Sequence, residues 1–121
     1  MGMNMKKLMN SLYENLDNMD INYLEEVLDD DVSFSISDNP VIIGKKNVIE
    51  ANISFFKTIK AMKHDIMAVY KDEDEDVVFC HGSVHYTRND KSSHSVGFST
   101  ILKLRDGKII DYLVFVDLSG L

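Results

Sequence analysis

The sequence predicts an α+β fold, with helices in the first half and a largely antiparallel sheet in the second. Three observations predict it. Apolar residues recur at helical spacing before residue 20 and again after Gly44. From residue 63 the pattern becomes strand, turn, strand, turn, with connections short enough to force an antiparallel meander. The late strands carry large apolar residues on both faces, as in Val77-Val78-Phe79-Cys80 and Leu113-Val114-Phe115-Val116. A sheet with one wet face would alternate cleanly instead.

Each element has its own signal. Met5, Leu8, Met9, Leu12, Leu16 and Met19 predict an amphipathic helix over about 3–18. Asn18 and Asp20 interrupt it, and Asp20 is placed to cap a short second helix carrying Ile21, Leu24, Val27 and Leu28. Asp29, Asp30 and Asp31 oppose the macrodipole at the end of that helix, so it is expected to stop there. Val32, Phe34 and Ile36 then alternate with serines as a strand, Asp38-Asn39-Pro40 turns, and Val41-Ile42-Ile43 forms a short strand that Gly44 breaks. Val48, Ile49, Ile53, Phe56 and Ile59 predict a third helix from Lys45 to about Lys60. Strands are expected over 63–71, 77–88, 94–105 and 108–117, the last two joined by the Asp106-Gly107 hairpin signal. One face of this sheet is expected to lie under the helices. The other is expected to meet a second copy of the chain, giving a homodimer through the outer sheet face.

Composition narrows the function classes. A chain of 121 residues with one proline, no repeat and no low-complexity stretch reads as a single domain over 1–121. A net charge of -7, from 13 basic and 20 acidic residues, argues against nucleic acid or an anionic membrane as partner. No apolar run approaches the ~20 residues of a membrane span. The start, Met1 to Lys6, carries neither a signal-peptide core nor the Ser or Thr of a myristoylation motif. The single cysteine, Cys80, has no internal partner, so a reducing cytoplasmic location is expected. Without a glycine-rich phosphate loop no nucleotide cofactor is indicated, and no cofactor is expected. His81 and His85 share a strand face and His94 follows on the next strand, but no spacing requires a metal and none is expected. The acids Asp72 to Asp76 lack the glycine and spaced ligands of a calcium loop.

Several motifs together resemble one superfamily. The run from Asp20 to Phe34 is similar to its second helix, acidic break and first strand. Gly44-Lys45-Lys46 before Val48-Ile49 is similar to its entry into a third helix, and Lys63-His64-Asp65-Ile66, Arg105 to Tyr112 and Val116-Asp117 to its C-terminal half. The chain thus resembles the NTF2-like superfamily, and within it the SnoaL-like group, alongside polyketide cyclases, ketosteroid isomerases and limonene epoxide hydrolase. The resemblance implies a cone: a strongly curved mixed or antiparallel sheet around three helices, with an apolar pocket at one end. It does not by itself give an activity.

The chemistry best understood in that group is proton transfer next to a carbonyl, which needs a base and donors for the developing enolate oxygen. Motif counting places Ile36 where a steroid isomerase has its base, Leu12 beside Tyr13 where it has its donor tyrosine, and Thr100 where it has its second acid. All three positions fail, so the chain is not a ketosteroid isomerase by residue match. The looser SnoaL-like arrangement points to His64, Asp117 and Tyr112 as candidate catalytic groups. Period 2 adds Phe98 and Thr100, Cys80, Val84 and Tyr86, and Val114 and Val116 as the inward-facing wall. Tyr13, Phe34, Ile36, Asn52 and Phe56 complete the expected ligand-binding set. His64 alternates in phase with Ile66 and Ala68. It reads either as base or anchor, or as a histidine satisfied by backbone or a nearby carboxylate. Asp117 falls in phase with Leu113 and Phe115, on the outer face or the rim.

Three functions follow. The first is a cofactor-independent isomerase, cyclase or lyase acting on a small hydrophobic carbonyl compound. The second is a binding module for such a molecule without chemistry. The third is a dimeric interaction module, whose pocket would be filled by Phe34, Phe55, Phe56 and Phe98.

Overall fold

The computed structural model describes residues 4–121, so the expected first helical residue, Met3, lies outside the described residues. Helix α1 spans Met5–Asp17, α2 Ile21–Val27 and α3 Lys45–Phe56; strands β1 to β6 span Leu28–Ile36, Ile42–Ile43, Ile59–Asp72, Val77–Arg88, Ser93–Arg105 and Lys108–Val116. The strands form one sheet in the order β2-β1-β6-β5-β4-β3. Strands β3 to β6 are the antiparallel meander, whereas β1 runs parallel to β6. The sheet is therefore mixed, and it is open at β2 and β3.

Local signals fix the helices. The Asn4 side chain accepts the Lys7 N–H at 3.0 Å and caps α1, and Asp20 accepts the Asn22 N–H at 3.0 Å and caps α2. Caps of this kind contribute about 1 kcal/mol each. Helix α1 buries Met5, Leu8, Met9, Leu12, Tyr13 and Leu16 along one side. Two boundaries differ from the sequence reading. Leu28 opens β1 rather than closing α2, because Leu28 pairs with Ile109 and the acids can then be exposed between that pair and Ser33–Asp111. Arg105 reaches Asp29 at 3.1 Å and Asp31 at 3.6 Å across this irregular stretch. Helix α3 ends at Phe56 and β3 begins at Ile59, four residues earlier than expected. Ile59 is buried and pairs with Arg88, so it extends the sheet instead of the helix.

Irregularities bend the sheet. The ladders slip between Ile66 and Ala68 against β4, between Lys103 and Leu104 against β6, and between Leu28 and Ser33 against β6. Each such bulge bends its strand and increases local twist. At the first slip, Gly82 lies so close to β3 that a Cβ there would overlap the Asp65 carbonyl. The slip also corrects a phase: Ala68 pairs with outward His81, and Val69, opposite inward Cys80, takes the place expected of Ala68. The Asp106-Gly107 turn has positive φ at both residues, 52° and 77°, the hairpin geometry its sequence signals.

The core lies between α1, α2 and α3 and the concave face of the sheet. Met9, Leu12, Leu24, Leu28, Leu102 and Ile109 are fully buried there. The convex face leaves Met67, Tyr70, Phe79 and Phe115 exposed.

Candidate active site

Beyond the packed core, the concave face holds a partly open cavity of about 130 Å³. Its walls come from α1, β1, α3 and the meander, so the bend of the sheet creates it. Tyr13, Phe34, Ile36, Asn52 and Phe56 line it, as do Tyr86, Phe98, Val114 and Val116. Leu16, Ile42, Ala51, Phe55, Met62 and Leu118 complete the apolar wall without having been expected there. Phe34, Phe55, Phe56 and Phe98 all face the space, which they narrow without filling.

Cys80, Val84 and Thr100 share the inward phase but do not reach the cavity. They are fully buried where α1 packs on β4 and the adjoining core. Period 2 assigns a face; it does not say where along a strand the hollow begins. Burial pushes the Cys80 thiol up to about 11, which holds it as an unreactive thiol.

His64 and Tyr112 line the cavity; Asp117 does not. Asp117 is exposed just beyond β6, where its carboxylate accepts the Ser119 N–H at 2.9 Å. Hydrogen bonding from Ser119 holds it below the usual carboxylate range, so it stays ionised in solvent. His94 points inward opposite Tyr86, on the reverse face from His81 and His85, and so cannot join them around a metal. Among the described residues no cluster of three metal-ligating side chains occurs.

The chief feature missed by sequence reasoning is Asp17. Its Oδ1 lies 2.6 Å from His64 Nδ1, and its Oδ2 accepts the His64 backbone N–H at 2.9 Å. The two side chains retain only 8% and 10% of their exposure. Asp17 closes α1, where a carboxylate opposes the helix dipole, so the two bonds from His64 offset an otherwise unfavourable placement. An ionised Asp17 accepts from Nδ1 and thereby assigns the ring proton to that nitrogen. Among the described residues Nε2 has no hydrogen-bond partner. The signal available in sequence was Asp17 at the end of a predicted helix, but its pairing with His64 spans 47 positions and needs the fold.

Beside this pair stands a cluster of hydroxyls. The His64 ring packs on Tyr13 at a 4.3 Å centroid separation and edge-on to Phe98 at 5.0 Å. Tyr13 hydrogen-bonds to Thr100, which is fully buried beside Cys80 on the neighbouring strand. Burial raises the Tyr13 phenol well above its usual range, and Tyr112 beside it raises it further. Burial likewise raises Tyr112, offset only in part by the Tyr13 hydroxyl, and pushes Tyr86 up to about 12. These phenols stay neutral at physiological pH and can only donate or accept hydrogen bonds. Tyr13 and not Leu12 faces the cavity, Ile36 lines it with an apolar side chain, and Thr100 hydrogen-bonds to Tyr13.

The fold and site define a three-helix, curved-sheet protein with an apolar cavity that carries a histidine–aspartate pair at its wall. The sequence profile of the SnoaL-like domain matches residues 9–112, and the chain belongs to that family. Solved structures agree on the fold. An NTF2-like protein of unknown function from Burkholderia pseudomallei superposes with a TM-score of 0.83 at 20% identity, covering 99% of this chain and 95% of that one. A protein with a ketosteroid isomerase-like fold from Catenulispora acidiphila, in complex with trimethylamine, gives 0.81 at 14% identity, with 92% and 85% covered. An LEH-like epoxide hydrolase from M. tuberculosis gives 0.79 at 13% identity, with 93% and 81% covered. No curated protein sequence matches the chain. Among the described residues no helix is long and apolar enough to cross a membrane.

Proposed function

We propose that the protein is a cofactor-independent acid–base catalyst that moves a proton next to the carbonyl of a small hydrophobic compound. The observation that carries this reading is the His64–Asp17 pair at the wall of an apolar cavity, beside neutral phenols. In the proposed step His64 Nε2 takes a proton from the carbon next to the carbonyl. The C–H electron pair moves into the carbonyl system, and the oxygen gains negative charge. Tyr13 and Tyr112 hydrogen-bond to that oxygen. The proton then returns from Nε2 to the same carbon or to a conjugated one, so the net reaction is exchange or isomerisation with no atom gained or lost. Asp17 holds the base tautomer and stabilises the imidazolium while it exists, and it does not itself take the proton. Each phenol donor contributes on the order of 10²–10³ in rate in sites of this kind.

Cyclohexanone in D2O tests the reading by proton NMR. Wild-type protein is expected to exchange the protons next to the carbonyl faster than buffer, His64→Gln is expected to abolish the excess, and Tyr13→Phe to lower it by about 10²-fold. A wild-type rate equal to buffer, with binding observed, would leave the chain a binding module.

A further inference from the structure

We infer that this cavity accepts one uncharged ring and that Leu118, on the turn after β6, sets that limit. The inference rests on reading the cavity as the ligand site. Its volume of about 130 Å³ lies well below the roughly 300–1,000 Å³ of pockets for drug-sized molecules, and near the ~150 Å³ of an engineered void that holds benzene. No Lys, Arg, Asp or Glu lines it. Its polar groups are His64, three phenols and the amide of Asn52, whose Nδ2 is already committed to the Val48 carbonyl. A charged substituent would lose its water there with no counter-charge to meet it. A fused-ring compound exceeds the buried volume and would have to leave rings in solvent.

One wall is thin. Ile36, Val116 and Leu118 line the cavity on one side and a wider, shallow depression on the other, where Ser37, Asp38, Asn39, Asp117 and Ser119 present polar groups. Ile36 and Val116 belong to strands. Leu118 does not, and its position depends on the turn it occupies. The Leu121 N–H closes that turn on the Leu118 carbonyl at 3.0 Å. Within the same turn Arg88 grips the Gly120 carbonyl, with Nε at 3.1 Å and a terminal nitrogen at 2.5 Å. Gly120 packs so tightly on His94 that a Cβ would overlap the ring. The clamp fixes the backbone, and the Leu118 side chain is left as the partition. Removing that side chain joins cavity and depression and gives a ring substituent room on that side.

The test measures binding by NMR titration with cyclohexanone, 4-butylcyclohexanone, 4-oxocyclohexanecarboxylate and a four-ring steroid ketone. Wild-type protein is expected to bind cyclohexanone at least tenfold more tightly than any of the other three. Leu118→Ala should tighten 4-butylcyclohexanone at least tenfold relative to cyclohexanone. Leu118→Phe keeps a partition and should keep the wild-type preference. Should Leu118→Ala fail to unfold cooperatively, Ile36→Ala opens the same wall from β1 and carries the same expectation. Equal wild-type binding of the butyl or anionic compound, an unchanged preference in the opened variants, or binding of none of the four would overturn the inference. Cyclohexanone that binds without proton exchange sinks the proton-transfer reading and leaves the size limit standing. Exchange on the steroid ketone but not on cyclohexanone does the reverse.

Discussion

The concave face of the sheet is solid at one end and hollow at the other, and the same strands build both. Strand β5 gives Leu102 and Leu104 to the packed end and Phe98 to the cavity wall; β6 gives Ile109 to the first and Val114 and Val116 to the second. At the seam stand Tyr13, Thr100 and Tyr112, with His64 and Asp17 beside them. The difference teaches where chemistry can be placed. The packed end supplies rigidity and excludes water. The hollow end supplies room. Polar groups at the junction are held in place by the first and can face a ligand in the second.

The largest expected effect tests the seam. Asp17→Asn keeps the shape but frees the His64 tautomer, and the exchange rate on cyclohexanone is expected to fall by about 10²–10⁴, the range of general-base catalysis. Wild-type-like binding of cyclohexanone by the same variant separates lost chemistry from lost fold. An unchanged rate would show that Asp17 does not position the base.

The next effect tests the two ends directly. Leu102→Ala removes a fully buried side chain from the packed end and is expected to cost about 2–5 kcal/mol in urea unfolding. Val114→Ala removes methyl groups that already face empty space, and should cost less than about 1 kcal/mol, because little packing is lost with them. Equal losses at the two positions would mean the hollow collapses in solution.

The two faces of the sheet give a smaller contrast. Outside, Tyr70 stacks on Phe79 at 5.0 Å, and Met67 and Phe115 are exposed near the same level of the sheet. Pairing of two copies through this face predicts a dimer at micromolar concentration in sedimentation. Leu113→Asp should shift it towards monomer while cyclohexanone binding is retained. A monomeric wild type would leave the exposed aromatics without the partner expected for them.

How much of this could be read in the sequence follows from which physical rules act locally. Helix caps such as Asp20, the Asp106-Gly107 turn and the inward phase of Phe98, Tyr112 and Val114 depend on neighbours a few residues away, and these were legible. Leu28 and Ile59 open strands although their spacing reads as helical, because helical spacing and strand burial coincide for short apolar runs. Val69 exchanged places with Ala68 because a bulge shifts phase without a sequence mark. Cys80, Val84 and Thr100 had the right face and the wrong depth, because α1 covers that length of the sheet. Asp17 was invisible because nothing within α1 indicates that His64 will arrive beside its last turn.

The smallest effect concerns pH, and it separates the same two regions by their protons. Tyr13, Tyr86 and Tyr112 have phenols raised by burial in the folded chain, against about 10 in the unfolded chain. Above pH ~10 the unfolded chain releases these protons first, so the folded chain binds more of them and stability falls as pH rises. Below that value all phenols are protonated in both states and their contribution is fully present. Urea midpoints are therefore expected to be level in this respect between pH 7 and 9 and to drop beyond about 10. Tyr86→Phe should make the drop shallower, since one raised phenol is gone. Absorbance of phenolate in the native protein should likewise lag behind that of the unfolded chain. Native phenols that all ionise together near 10 would mean water reaches the seam freely, and the separation of a dry packed end from the cavity would not hold.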